Sequence, residues 1–289
     1  MKWPNNGKFA VWLTHDVDRV KKEWFHLLYY FYKQKRFYHL ISKFRKKEPY
    51  WNFETIMDIE RKYNVKSTFF FLNESIKFNL LKPKEWKLAL GRYNIHDKKI
   101  QEIIRRLDQE GWEIGVHSSC NSYRDKNLLQ KEKTELENIL GKKIYGVRQH
   151  YLNLDIPFTW KIQKEVGFKY DASFGFSRKV GFREGKYLPF SPFNDEFTVV
   201  PLAIMDSCLF ENTKDIDEAW RKCLEMINLA ETREGLLSIL WHNRVFDKGE
   251  FPGYAEIYEK IIAACKKRGA WFGKGSDIMQ HYSLLRGKE

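Results

Sequence analysis

Short apolar runs alternate with stretches of helical period along nearly the whole chain, and that alternation restricts the fold more than any other feature. The runs at 9–13, 67–72, 112–117, 144–148, 168–172, 197–204, 236–241 and 270–272 read as strands. Between them, 51–63, 96–110, 127–140, 157–166, 216–231, 254–267 and 276–285 carry apolar residues at helical spacing, as Ile100, Ile103, Ile104 and Leu107 do ahead of Gly111. Parallel strands need a crossover between them, so strand–helix alternation predicts an α/β fold with a parallel sheet. About seven such units with no linker or repeat predict one domain of barrel type over 1–289. The stretches 73–94 and 177–192 break the pattern and read as a loop-rich excursion and a long ordered loop, the second a wall for an active site.

One insertion interrupts the series at 19–50. Trp24, Leu27, Leu28, Phe31, Phe37, Leu40, Ile41 and Phe44 recur there at helical spacing, with Lys and Arg filling the gaps. Two readings stay open: a helical element packed on the body with a solvated lysine face, or a membrane-surface element through 20–47 near anionic lipid. Nucleic acid is not expected as a partner, because no nucleic-acid motif accompanies the charge. The formal charge of +13 still favours anionic partners. Cys120, Cys208, Cys223 and Cys265 form no Cys-x-x-Cys pair, which fits reduced thiols. The first residues lack the apolar segment of a secretion signal, so a cytoplasmic protein, peripheral at the inner membrane surface, is expected.

Polar residues stand just beyond the strands. Asp16 and Asp18 follow the first, His117 and Asn121 the third, Arg148 the fourth, Asp171 the fifth, and His242 the strand ending at Trp241. A parallel barrel gathers groups at the C-terminal ends of its strands, so these should converge. Residues i and i+2 of an extended segment share a side, which puts Asp16 and Asp18 together and turns His15 and Val17 away. Two carboxylates that close call for a cation. His117 and the side-chain oxygen of Asn121 would complete a mixed nitrogen and oxygen set. Each residue also has a plainer reading: Asp-x-Asp as a helix cap, His117 and His242 as packed structural histidines, Arg148 in a surface ion pair, Tyr151 and Trp241 as core.

Taken together these segments resemble the polysaccharide deacetylases with the NodB homology domain, also called carbohydrate esterase family 4. Thr14-His15-Asp16-Val17-Asp18 is similar to that family's Thr-Phe-Asp-Asp motif, His117-Ser118-Ser119-Cys120-Asn121 to His-Ser-x-x-His, and Arg148-Gln149-His150-Tyr151 to Arg-x-Pro-Tyr. Asp171-Ala172-Ser173 and the strand ending at His242 match two further segments. The resemblance spans most of the chain outside 19–50 and implies a distorted (β/α)7-type barrel. It implies a metal-dependent hydrolase that removes the N-acetyl group of an amino sugar in a polysaccharide or glycoconjugate precursor, with zinc the expected ion. Asp16 would be the general base, Arg148 its orienting partner, His242 the general acid and Asp171 the residue that tunes it. Asp18, His117 and Asn121 would hold the metal, and Tyr151, His150 and Trp241 would contact substrate. Asn121 stands where the family has a second histidine, and Val17 separates aspartates that are adjacent in the usual motif. Two other functions fit the same frame: hydrolysis of another amide such as a cyclic ureide, and a non-catalytic barrel that binds a glycan or membrane lipid.

Overall fold

The computed structural model describes residues 3–23, 31–32, 38, 42, 48–74, 76, 78–82 and 86–286. Most of the insertion expected at 19–50, and of the membrane contact expected of 20–47, lies outside the described residues. No helix among them is long and apolar enough to cross a membrane.

A curled, parallel sheet is the centre of the molecule. Its strands are β1 (Ala10–Val17), β2 (Thr68–Leu72), β3 (Glu113–Ser118), β4 (Gly146–Gln149), β5 (Tyr170–Asp171), β6 (Thr198–Val199), β7 (Ile204–Met205), β8 (Leu236–Leu240) and β9 (Trp271–Phe272). They run in the order β6-β5-β4-β3-β2-β1-β8-β7, and β9 pairs with the start of β1. The helices are α1 (Phe53–Lys62), α2 (Trp86–Ala89), α3 (Lys98–Gln109), α4 (Lys126–Leu140), α5 (Phe158–Glu165), α6 (Asp206–Glu211), α7 (Ile216–Thr232), α8 (Tyr254–Lys267) and α9 (Gly275–Arg286). This is the distorted (β/α)7 arrangement. The run expected as one strand at 197–204 splits in two: β6 pairs with β5, and β7 pairs with β8. Pro201 lies between them and has no N–H to carry a ladder through.

All eight residues of β1 are buried, and their alternation separates two apolar layers. Val11, Leu13 and Val17 join the larger cluster with helix residues such as Ile56, Ile104, Leu136 and Ile261. Ala10 and Trp12 join the inner cluster with Phe70, Tyr170, Val200 and Ile278. Space inside the barrel is tight. A Cβ on Gly146 would stand 2.2 Å from Tyr170 Oη, so glycine is what lets β4 approach that ring. The lower end is closed by α9, whose Ser276 N–H donates to Glu113 Oε1 at 3.1 Å, while Trp12 Nε1 and Glu113 converge on Thr68 Oγ1 at 2.9 and 2.7 Å. The barrel therefore opens at the other end.

As the alternation predicts, His15 faces outward, away from Asp16. It is fully buried beneath the helices, with Nδ1 2.7 Å from the Trp241 carbonyl and Nε2 3.0 Å from Glu60 Oε1. Tyr258 Oη and Trp112 Nε1 donate to the same carboxylate at 2.7 and 2.5 Å. This network ties the exits of β1 and β8 to α1 and α8. Removing the shared acceptor strands the buried Trp112 indole and leaves His15 Nε2 and Tyr258 Oη, 3.1 Å apart, only each other. Glu60→Ala is expected to lower unfolding free energy by about 3 kcal/mol or more, read from denaturant melts, and a loss under ~1 kcal/mol would contradict the role assigned to it.

Candidate functional site

The chain leaves β1 with Asp16 still on the inner face and Asp18 one step beyond the strand. Asp16 Oδ1 accepts from Arg148 Nη1 at 2.9 Å, and Oδ2 lies 3.6 Å from His117 Nε2. Arg148 comes from β4 and crosses the interior. Its Nε donates to the Ala172 carbonyl at 3.0 Å, its Nη1 also meets Thr14 Oγ1 at 2.7 Å, and its guanidinium lies 4.5 Å from the centre of the Phe70 ring. Guanidinium and carboxylate are both buried, which fixes which Asp16 oxygen points at the mouth.

Asp18 Oδ1 is 3.2 Å from His117 Nε2, and Oδ2 is 3.9 Å from both His150 Nε2 and His242 Nε2. Ligand atoms of Asp18, His117 and His150 all lie within 4.8 Å of one another. His117 Nδ1 is 2.9 Å from the Arg148 carbonyl, which can only accept, so Nδ1 carries the proton and the Nε2 lone pair is available to a cation. Asp18 Oδ1 is buried and makes no hydrogen bond. A buried carboxylate oxygen without a partner, beside two imidazoles, is a donor set that a divalent cation satisfies.

The titration behaviour agrees. Burial pushes the Asp18 carboxyl up, but His117, His150 and His242 outweigh it and hold it well below the usual range. Burial pushes His117 down, and Asp16 and Asp18 more than reverse this. Positive charge is favoured beside Asp18 at His117, whereas burial keeps His150 below its ordinary value despite Glu74 and Asp18.

His242, just beyond β8, is held by an aspartate that the sequence reading passed over. Asp206, the first residue after β7, accepts from the His242 backbone N–H at 2.7 Å and faces Nδ1 at 2.8 Å. Burial acts to lower the His242 pKa, yet Asp206, with Asp18 behind it, raises it to about 9.

Three expectations need correction. Asn121 is exposed and heads a short 3-10 turn at Ser122–Arg124, while the third member of the cluster is His150, expected first as a substrate contact and, with His15, as a candidate to compensate for Asn121. Asp171 does not meet His242: its carboxylate accepts from Ser173 N–H, Ser173 Oγ and Gln163 Nε2 at 2.9, 2.7 and 2.9 Å. Trp241 is fully buried, packs on Phe210 and Tyr258, and cannot reach a ligand in the mouth. Tyr151 remains at the rim, 55% exposed and stacked on His150 with ring centres 4.2 Å apart. It holds a left-handed backbone (φ 59°), as does Leu152 (φ 55°), a strain that tertiary contacts must sustain. Glu74, just beyond β2, was also missed. Its Oε2 stands 3.7 Å from His150 Nδ1, behind the cluster.

A family model described as polysaccharide deacetylase matches residues 49–170, which include His117, Arg148 and His150. Over that stretch, under half of its length, the chain resembles the polysaccharide deacetylase family. The structure of a putative polysaccharide deacetylase from Mycobacterium smegmatis is 18% identical, with a TM-score of 0.64 over 99% of this chain and 94% of that one. An allantoinase structure is 14% identical, with a TM-score of 0.66 over 98% and 92%. A pseudoenzyme of the CE4 family from Bacillus anthracis is 14% identical, with a TM-score of 0.52 over 96% and 66%. At these identities the likeness fixes the fold. No curated protein matches the sequence.

The site yields two expectations. In zinc titrations by calorimetry, His150→Ala should weaken binding at least about tenfold while Asn121→Ala leaves it unchanged; the reverse order would return the ligand role to Asn121. In metal-free protein, Asp206→Asn should bring the His242 imidazole down from about 9 toward its ordinary 6.5, as followed by NMR titration. The sign for stability follows. A raised histidine pKa contributes in full below 6.5 and loses that contribution as pH climbs through about 9, so the variant should flatten the pH dependence of unfolding in that window.

Proposed function

We propose that this protein is a divalent-cation-dependent deacetylase that hydrolyses the N-acetyl group of an amino sugar in a polysaccharide or glycoconjugate precursor. The observation that carries the reading is the meeting of Asp18, His117 and His150 within 4.8 Å, flanked by Asp16 and by His242. Two imidazoles and a carboxylate suit zinc or another transition ion. A cation held there supplies Lewis-acid polarisation of the amide carbonyl and acidifies a water at neutral pH.

The chain's own groups divide the remaining work. Arg148 occupies Asp16 Oδ1, which leaves Oδ2 to accept a proton from the attacking water. His242, held protonated by Asp206, faces the cluster through Nε2 and donates to the departing amine. Tyr151 offers an exposed ring at the rim on which a sugar face can stack.

Acetate release from N-acetylated oligosaccharides should be abolished by chelator and restored by zinc. Asp16→Asn should cost about 100- to 10,000-fold in kcat with metal content unchanged. Chelator-resistant release would refute the cation-dependent mechanism.

The likeness to an allantoinase motivates a second reading, hydrolysis of a cyclic ureide on the same residues. Turnover of allantoin with none of any N-acetylated sugar would select it. A protein purified without bound metal that takes up none when offered it would select the non-catalytic reading instead, which likeness to a pseudoenzyme motivates. All four cysteines are unpaired, which supports a place of action in the reducing cytoplasm, at the inner membrane surface. Cell fractionation tests that placement.

A further inference from the structure

The chain between β2 and α3 leaves the site and returns to it. It departs at Glu74, behind His150, and comes back through Arg92 and Tyr93, which donate to the carbonyls of Asp18 and Val17 at 3.2 and 2.9 Å. Both ends are therefore anchored at the mouth of the barrel.

The far end is a turn organised by Asn79. Its side-chain oxygen accepts from Leu81 N–H at 2.9 Å, and its carbonyl accepts from Lys82 N–H at 3.0 Å and Trp86 Nε1 at 2.9 Å. Phe78 lies beside Trp86 with ring centres 5.8 Å apart. These bonds order the turn, and its leucines point outward. Leu80 is 69% exposed, Leu81 88% and Phe78 50%. Adjacent leucines held in water by their own turn forgo the burial that apolar side chains ordinarily obtain. On the segment that leaves the same barrel face after β1, Tyr32 is 86% exposed.

Charge identifies what covers this tip. Lys82 and Lys21 are exposed, Lys77, Lys84 and Lys87 surround the tip in sequence, and the whole chain carries +13. Apolar side chains at the tip with lysines around them complement an acyl layer beneath anionic headgroups. A protein groove would satisfy the leucines but gives no reason for the lysines.

We propose that the 78–81 turn inserts into an anionic lipid surface, with the neighbouring lysines at headgroup level, and so turns the mouth of the site toward a membrane-carried substrate. The orientation toward substrate rests on the deacetylase reading; the docking does not.

Flotation of the full chain with vesicles tests the docking without any assay of activity. The protein should float with phosphatidylcholine vesicles that contain phosphatidylglycerol and far less with phosphatidylcholine alone. L80S/L81S should bind at least about tenfold more weakly while its melting temperature stays that of the parent, since both side chains are already in water. Failure of the parent protein to bind either vesicle overturns the proposal, as does equal binding by the variant, which would leave charge alone as the cause. If docking holds and acetate release fails, only the deacetylase reading falls.

Discussion

The fold and the site share one interaction, the ion pair of Asp16 and Arg148 inside the barrel. Taking two charges out of water costs several kcal/mol each, and the pair recovers this only when their other polar atoms are also used. Here Nε of Arg148 is spent on Ala172, Nη1 serves Thr14 as well as Asp16, and the guanidinium lies over the Phe70 ring, while its buried Nη2 makes no hydrogen bond and leaves part of that cost unrecovered. The bond spans the interior from β4 to β1 and bypasses the two strands between them. It sets the width of the barrel at its mouth and the rotamer of the proposed base together. Neither could change without the other.

That same strand explains how the chain tolerates asparagine at position 121. β3 and β4 are paired with His117 opposite Arg148, so the residue two beyond Arg148 lies next to the exit of β3. His150 is that residue, and its imidazole reaches Asp18 from the neighbouring strand instead of from the loop that follows His117. Asn121 is then released into an exposed turn, where its backbone carbonyl accepts from Arg124. A change that reads in the sequence as a lost ligand is, in space, one imidazole exchanged for another across a strand pair.

Alternation along β1 made much of this readable from the residues. It placed Asp16 inward and His15 outward, and the strand-end rule found Asp18, His117, Arg148 and His242. What was not legible was pairing across elements. Asp206 stands at a strand end like the rest, but Pro201 divides the strand expected at 197–204, and the true end, Met205, comes one residue later than the apolar run suggested. Trp241 was expected at the rim, since an aromatic beside a candidate acid suits a sugar. Yet alternation also turns it opposite to His242, under the helices, where Phe210 and Tyr258 enclose it. Glu74 lay in a stretch with no periodicity, so no pattern pointed to it.

Asp171 and Asp206 differ in what surrounds them, and this decides which can act on His242. Burial raises the Asp171 carboxyl, and the hydrogen bonds from Ser173, Gln163 and Trp160 reduce that rise without reversing it. Its effect on the site passes through the backbone: Asp171 holds Ser173, and Ser173 Oγ accepts from the Gln149 N–H at 2.8 Å, next to Arg148. Burial acts on Asp206 in the same direction, but the charge and hydrogen bonds of His242 reverse it and hold that carboxyl below its ordinary value. A carboxylate kept ionised can stabilise an imidazolium, whereas one biased toward its neutral form cannot. In the proposed mechanism the tuning of His242, which the resemblance implies for Asp171, falls on electrostatic grounds to Asp206, and Asp171 is left to fix the strand that carries Arg148.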